Sequence, residues 1–184
     1  VVLSWLAVAH SHPDADALVV MDMIVDNSAS GLFNLLLNQA QKVKSSGSSP
    51  SLRNDSGAWY AWAATKKGQS PEEAEKLLMG AIDALKAGEF SDEDIAAVIT
   101  NFELGEKGRI ESNEARVSLM SGSFTSAEPW ERTVGRLDRM RKITKADIVR
   151  VANKYLSADR VVVYRRDATP EIPKIAKPAF TRIE

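Results

Sequence analysis

From residue 70 to residue 156 the chain carries helix signals and nothing else, one after another. "SPEEAEKLLMGAIDALKAG" opens the run. Ser70 is placed to cap, Pro71 fits the first turn, Glu73 completes a capping box, and Gly88 closes the end. Its apolar stripe is Ala74, Leu77, Leu78, Ala81, Ile82 and Leu85. "FSDEDIAAVITNF" starts a second helix, capped by Ser91 with Asp94 three residues on, and predicted to run past Arg109 towards Leu119. "SAEPWERTVGRLDRMRKI" reads as a third, with Trp130, Val134, Leu137 and Met140 on one face. "TKADIVRVANKYL" is a fourth, capped by Thr144 with Asp147. Four helices in series leave no room for strand–helix alternation, so a parallel doubly wound sheet is excluded.

The strands lie at the two ends of this run. "VVLSWLAVAH" is rich in β-formers, and Pro13 stops it before a helix over "DADALVVMDMIVDN". "LFNLLLNQAQKV" is ambiguous between a short helix and a strand. "VKSSGSSPSLRNDSGAWYAWAATKKG" reads as a β-hairpin with its turn at "RNDSG" and a strand from about 57 to 66. "RVVVYRR" (160–166) is predicted to be a final buried strand. The expected fold is therefore α+β: a two-layer sandwich with helices on one face of a mostly antiparallel mixed sheet. Residues 1–167 form one domain, and 168–184, with Pro170, Pro173 and Pro178, form an extended linker.

Bulk properties exclude more than they assign. Lys+Arg total 24 against 25 Asp+Glu, a formal net charge of −1, so nucleic acid is not an expected partner. No apolar run is long enough for a transmembrane helix. With no cysteine, thiol nucleophiles and Cys-based zinc sites are excluded. The start at Val1 and the Pro-containing end read as a domain excised from a longer protein.

Four potential metal ligands crowd into "AVAHSHPDADAL": His10, His12, Asp14 and Asp16. Catalytic zinc needs three protein ligands in fixed geometry, and the chain has no third histidine. The competing reading places Asp14 and Asp16 at a helix N-terminus, where capping and the macrodipole favour them, with the histidines on a wet loop. Arg132, Arg136 and Arg139 fall along one helical face, a candidate docking or anion surface. Arg165 and Arg166 alternate across the last strand and cannot form one clamp. Trp59, Tyr60 and Trp62 read as core and cross-strand packing. No phosphate-binding glycine loop, nucleophile elbow or H-E-x-x-H motif occurs.

Three stretches carry a family resemblance: "DALVVMDMIVDN…SGLFNLLLNQAQKV", "GQSPEEAEKLLMGAIDALKAGEFSDEDI" and "ITKADIVRVANKYLSADRVVVYRR". They resemble the C-terminal-type domain of the insulinase family of zinc metallopeptidases, the pitrilysin and mitochondrial-processing-peptidase group. The closest likeness is to long bacterial forms with four such domains, and "IPKIAKPAF" resembles the linker from the second into the third. The resemblance implies a clam-shell enzyme closing around unfolded peptides. Its zinc is held in the first domain by an inverted His-x-x-Glu-His motif and a downstream Glu. That motif is missing from this chain, so no cofactor is expected in it, and zinc is expected in the catalytic domain of the parent protein. Some family domains also carry an Arg and a Tyr, seven residues apart in "F-N-x-L-R…Y", that hold substrate. On "FNLLLNQAQKVK" those positions fall on Leu37 and Lys44, so the role is lost or was never present.

The resemblance therefore implies a non-catalytic domain of a zinc endopeptidase, inactive alone, that forms chamber wall and packs against the zinc-bearing domain. Its partners would be neighbouring domains of the same chain and an unfolded peptide, in a bacterial cytoplasm or periplasm. The rival readings are a structural module of an assembly that has lost proteolysis, like the core subunits of a respiratory complex, and a self-sufficient metal hydrolase using His10 and His12.

Overall fold

In the computed structural model, which describes residues 1–27 and 29–167, helices pack against one face of a four-stranded sheet. The strands are β1 (Val2–Ala7), β2 (Ser45–Leu52), β3 (Gly57–Ala64) and β4 (Val161–Val163), in the order β2-β3-β1-β4. Every pairing is antiparallel. Alternation along β1 sets the layers: Leu3, Trp5 and Ala7 are buried, while Val2 and Leu6 face out. The register places Trp5 opposite Trp59 of β3, with ring centroids 5.6 Å apart. Trp5 Nε1 donates to Ser157 O at 2.9 Å, which ties the first strand to the end of the last helix.

Helix α1 (Ala15–Val25) is the centre of the helical layer. Seven of its eleven residues are buried, which explains why its sequence has only weak amphipathic periodicity. It packs on α7 (Lys145–Tyr155), β2 and α3 (Asp92–Arg109). Helix α2 (Pro71–Ala87) ends at Gly88 in the left-handed region, φ 75°. At its N-terminus Ser70 Oγ accepts from Glu73 N–H, but only this half of the expected box forms. Complete capping boxes form at Ser91/Asp94 and Thr144/Asp147.

Three expectations need correction. The second predicted helix does not run on towards Leu119. It stops at Arg109 and restarts as α4 (Asn113–Thr125), because Gly105 and Gly108 weaken it and Ser112 caps a new start. The third splits at Gly135 into α5 (Trp130–Val134) and α6 (Arg136–Met140). The break resets the helical phase, so Met140 is buried while Val134 is 58% exposed and Trp130 is exposed as well. The final strand is not buried: β4 is a three-residue edge strand with Val161 and Val163 facing out. The 168–184 linker lies outside the described residues. Among the described residues no helix is long and apolar enough to cross a membrane.

Candidate functional site

The His–Asp segment is a clasp. Asp14 occupies the cap position of α1, but its backbone is helical there and its side chain makes no capping bond. The carboxylate turns to α7 instead. Its Oδ1 accepts from Arg150 at 2.8 Å, and its Oδ2 accepts from Lys154 at 2.9 Å and Tyr155 Oη at 2.6 Å. Burial pushes the Asp14 pKa up, but the Arg150, Tyr155 and Lys154 hydrogen bonds outweigh it and hold the group well below the usual carboxylate range. His12 Nδ1 accepts from the Asp14 N–H at 2.9 Å. Asp16 accepts from Arg139 Nε at 2.7 Å and Arg136 Nε at 3.3 Å. Both carboxylates and one imidazole nitrogen are thus engaged within the domain. A zinc ion would have to displace four cations, Arg150 and Lys154 from Asp14 and Arg136 and Arg139 from Asp16, before finding a third ligand, so this donor set does not fit the metal.

The same contacts relocate the three arginines. Arg136 and Arg139 hold Asp16, and Arg132 Nε lies 2.9 Å from Glu128 Oε1. Arg139 also donates to Arg132 O at 2.6 Å. The predicted docking stripe is a set of struts between α6, α5 and α1, with each arginine already ion-paired. Of the two end arginines, Arg166 pairs with Glu72 beyond β4 and Arg165 is exposed.

Of the two positions that the family resemblance singles out, Leu37 falls on a π-helix (Asn34–Gln39) and Lys44 on the bend that leads from it into β2. Leu37 is buried, at 1% exposure, and packs in the main core with Phe33 and Val43. Lys44 is exposed. It lines a surface recess of about 450 Å³ together with Asn38, Gln41, Val43, Lys66 and Lys67. The family resemblance singled out Lys44 but not Lys66 and Lys67, which the hairpin register brings alongside: Ser45 pairs with Ala64.

Strand β2 is an edge strand, and its open side is closed. Ser48 N–H donates to Asp26 Oδ2 at 2.8 Å, Ser46 O accepts from Asn38 Nδ2 at 3.3 Å, and Pro50 has no N–H to offer. A peptide cannot add here as a further strand. Gly47 permits this closure, since a Cβ would lie 2.9 Å from both Asp26 Oδ2 and the Trp62 ring.

Beneath this edge lies Asp22, which no motif or periodicity singles out. Its Oδ1 accepts from Ser48 Oγ and Trp59 Nε1, each at 2.7 Å. Burial raises its pKa to about 6; the two hydrogen bonds pull it down, and neighbouring Asp26 pushes it up further. A raised folded-state value means that its contribution to stability is complete below about 3.8 and is lost as pH rises through about 6. Asp22→Asn keeps an acceptor for both donors and removes the charge. It should stabilise the chain by about 2 kcal/mol at pH 8 and by little at pH 4. Thermal melts at the two pH values check this, and a variant no more stable at pH 8 would contradict it.

Comparison with known proteins agrees with this geometry. Residues 1–102 match the family model described as the peptidase M16 inactive domain. No curated protein matches the chain. Among solved structures, a protease from Helicobacter pylori superposes with a TM-score of 0.79 at 18% identity, covering 85% of this chain and 38% of that one. An inactive peptidase domain from Bordetella parapertussis gives 0.74 at 18% identity, covering 87% and 88%. The periplasmic protease PqqL from Escherichia coli gives 0.60 at 16% identity, covering 84% and 17%. The chain is thus the size of the Bordetella domain but spans well under half of the Helicobacter and Escherichia proteases. With the metal-ligand candidates tied up in struts and the family model matching over more than half its length, the chain belongs to the peptidase M16 inactive-domain family, the non-catalytic domains of a family of zinc proteases.

Proposed function

We propose that this chain is a supporting domain of a longer zinc endopeptidase. It packs against the zinc-bearing domain and forms part of the wall of a chamber in which unfolded peptide is hydrolysed by a metal-activated water. The observation that carries this reading is the uncovered face of the sheet. Among the described residues helices lie on one side only, and the other side displays Val2, Leu6, Trp62, Val161 and Val163, with Leu6 78% exposed. The register makes these residues neighbours: Val2 lies between Trp62 and Val163. An apolar sheet face of this kind marks a surface that another body covers or uses.

Leu37 and Lys44 then stand where a substrate-holding pair has been lost, and Arg132, Arg136 and Arg139 act within the domain before they act on any partner. The chain alone should show no peptidase activity on unstructured peptides and no stoichiometric zinc after dialysis. Removing it from the full-length protein should abolish turnover by destabilising the catalytic half. The test is to express the catalytic domain with and without this one and to measure melting temperature, zinc content and peptide turnover. A catalytic domain that stays folded, zinc-loaded and fully active alone would overturn the support role. A parent sequence without a zinc motif would shift the reading to an assembly that has lost proteolysis.

A further inference from the structure

We propose that the lysine-lined recess beside the π-helix docks acidic stretches of polypeptide. The proposal stands apart from the support role, because it concerns what this chain binds by itself. Its first basis is charge. From residue 27 to 54 and from 56 to 71 the sequence contains no Asp or Glu, yet it contains Lys42, Lys44, Arg53, Lys66 and Lys67. The hairpin folds four of these together. Lys42 and Lys44 precede β2, Lys66 and Lys67 follow β3, and the strands are paired from Ser45↔Ala64 onward. The fifth cation, Arg53, and the intervening Asp55 lie at the turn, about 25 Å away along an eight-residue strand. That is several screening lengths at physiological salt.

The rim is also held in shape. Gln69 Oε1 accepts from Lys66 N–H at 3.1 Å, and its Nε2 donates to Lys42 O at 2.9 Å, so one side chain links both lysine segments. Lys44 N–H donates to Ala64 O at 2.9 Å. Among the described residues the recess lining contains no carboxylate. Among the described residues no ion pair engages Lys42, Lys44, Lys66 or Lys67. The acids that follow in sequence are largely committed elsewhere: Glu72 to Arg166, and Glu75 to Arg160 and Tyr164. In the other basic cluster each arginine is already paired, Arg132 with Glu128 and Arg136 and Arg139 with Asp16. The lysine rim is therefore a cationic surface left open in a chain whose net charge is −1.

The chemistry favours carboxylates in a chain over a compact phosphate. Lysine ammonium groups are flexible point charges, and these sit on two separate segments, as several spaced carboxylates require. A phosphate site draws on arginine forks and converging backbone N–H groups, and the recess has no arginine. Nucleic acid would need a longer basic track and a more basic chain. Because exposed charge pairs are individually weak, binding should be fast, modest and strongly salt-dependent.

The test is fluorescence anisotropy of a short fluorescein-labelled oligoglutamate titrated with the whole chain at low salt. Saturable binding is expected. It should weaken about tenfold or more in a Lys44→Glu, Lys66→Glu double variant. A Lys44→Gln, Lys66→Gln pair should weaken it less. A Lys76→Glu, Lys142→Glu pair makes the same charge change outside the recess and should leave it within about twofold. Thermal melts confirm that each variant is folded. Absence of saturable binding by the parent chain would overturn the proposal. So would an equal loss in the Lys76/Lys142 pair, or tighter binding of a labelled oligonucleotide through the same lysines.

Discussion

Leu37→Arg should unfold much of the population under conditions where the parent chain is stable. The substitution restores the residue type that the family resemblance places at this position, so it separates two accounts of the site. If Leu37 is a core residue, the guanidinium enters a space that excludes water and offers no carboxylate. The side chain is 1% exposed and packs with the buried core that includes Phe33, Val43 and Leu78. An uncompensated buried charge costs about 3–5 kcal/mol, and overpacking adds to that. The sum is a large part of the stability of an ordinary domain. Leu37→Ala removes the same contacts without the charge and should cost about 2–5 kcal/mol. Urea melts of the three chains order the variants as parent, Ala, Arg. A Leu37→Arg variant as stable as the parent would mean that the position opens to a chamber and that the π-helix presents it outward.

The contrast between Leu37 and its surroundings shows what could be read from sequence. Burial of Leu37 follows from the apolar run "LFNLLL", whose residues Leu32, Phe33 and Leu37 all enter the core. The π-helix that carries it was not legible, because an i→i+5 turn has no residue signature of its own. Helix starts were legible wherever a hydroxyl cap was followed three residues later by an acid, as at Ser91 and Thr144. Helix ends were not, where glycine sat inside a run. Gly105 and Gly108 weaken the second predicted helix and Gly135 the third, but a glycine's cost alone does not say whether a helix breaks; the chain breaks twice. A similar limit applies to charge. Asp14 read as a cap because capping is local, whereas its true partners lie 136 to 141 residues away. The lysine rim was written in the sequence as a long stretch without acids, but only the hairpin register brings Lys66 and Lys67 beside Lys44.

That misplaced cap leads to the second large effect. Asp14→Ala should destabilise the chain by about 3 kcal/mol at neutral pH. The loss is not a capping loss, since the Asp14 side chain caps nothing and its backbone carbonyl still accepts from Leu18 N–H at 3.0 Å. It comes from the α1–α7 contact, where a carboxylate 6% exposed gathers Arg150, Lys154 and the Tyr155 hydroxyl. Arg150 and Lys154 are half exposed and regain water when Asp14 is removed, which keeps the loss near the lower end of the range for a broken buried pair. Arg150→Ala or Lys154→Ala alone should therefore cost much less than Asp14→Ala. The pH dependence has a definite sign. A depressed folded-state pKa gives stability that is present above the unfolded value of 3.8 and is lost as pH falls towards the folded one. The gap between parent and Asp14→Ala should hold from pH 8 to about 5 and narrow below about 4. Asp22, two turns further along the same helix, behaves in the opposite sense, because it is buried beside Asp26 and its donors, Ser48 and Trp59, are neutral. Melts of Asp14→Ala and Asp22→Asn across this range should therefore diverge from the parent in opposite directions at pH 8 and both approach it in acid. A gap for Asp14→Ala that widened as pH fell would show that its side chain is not held as a carboxylate by α7.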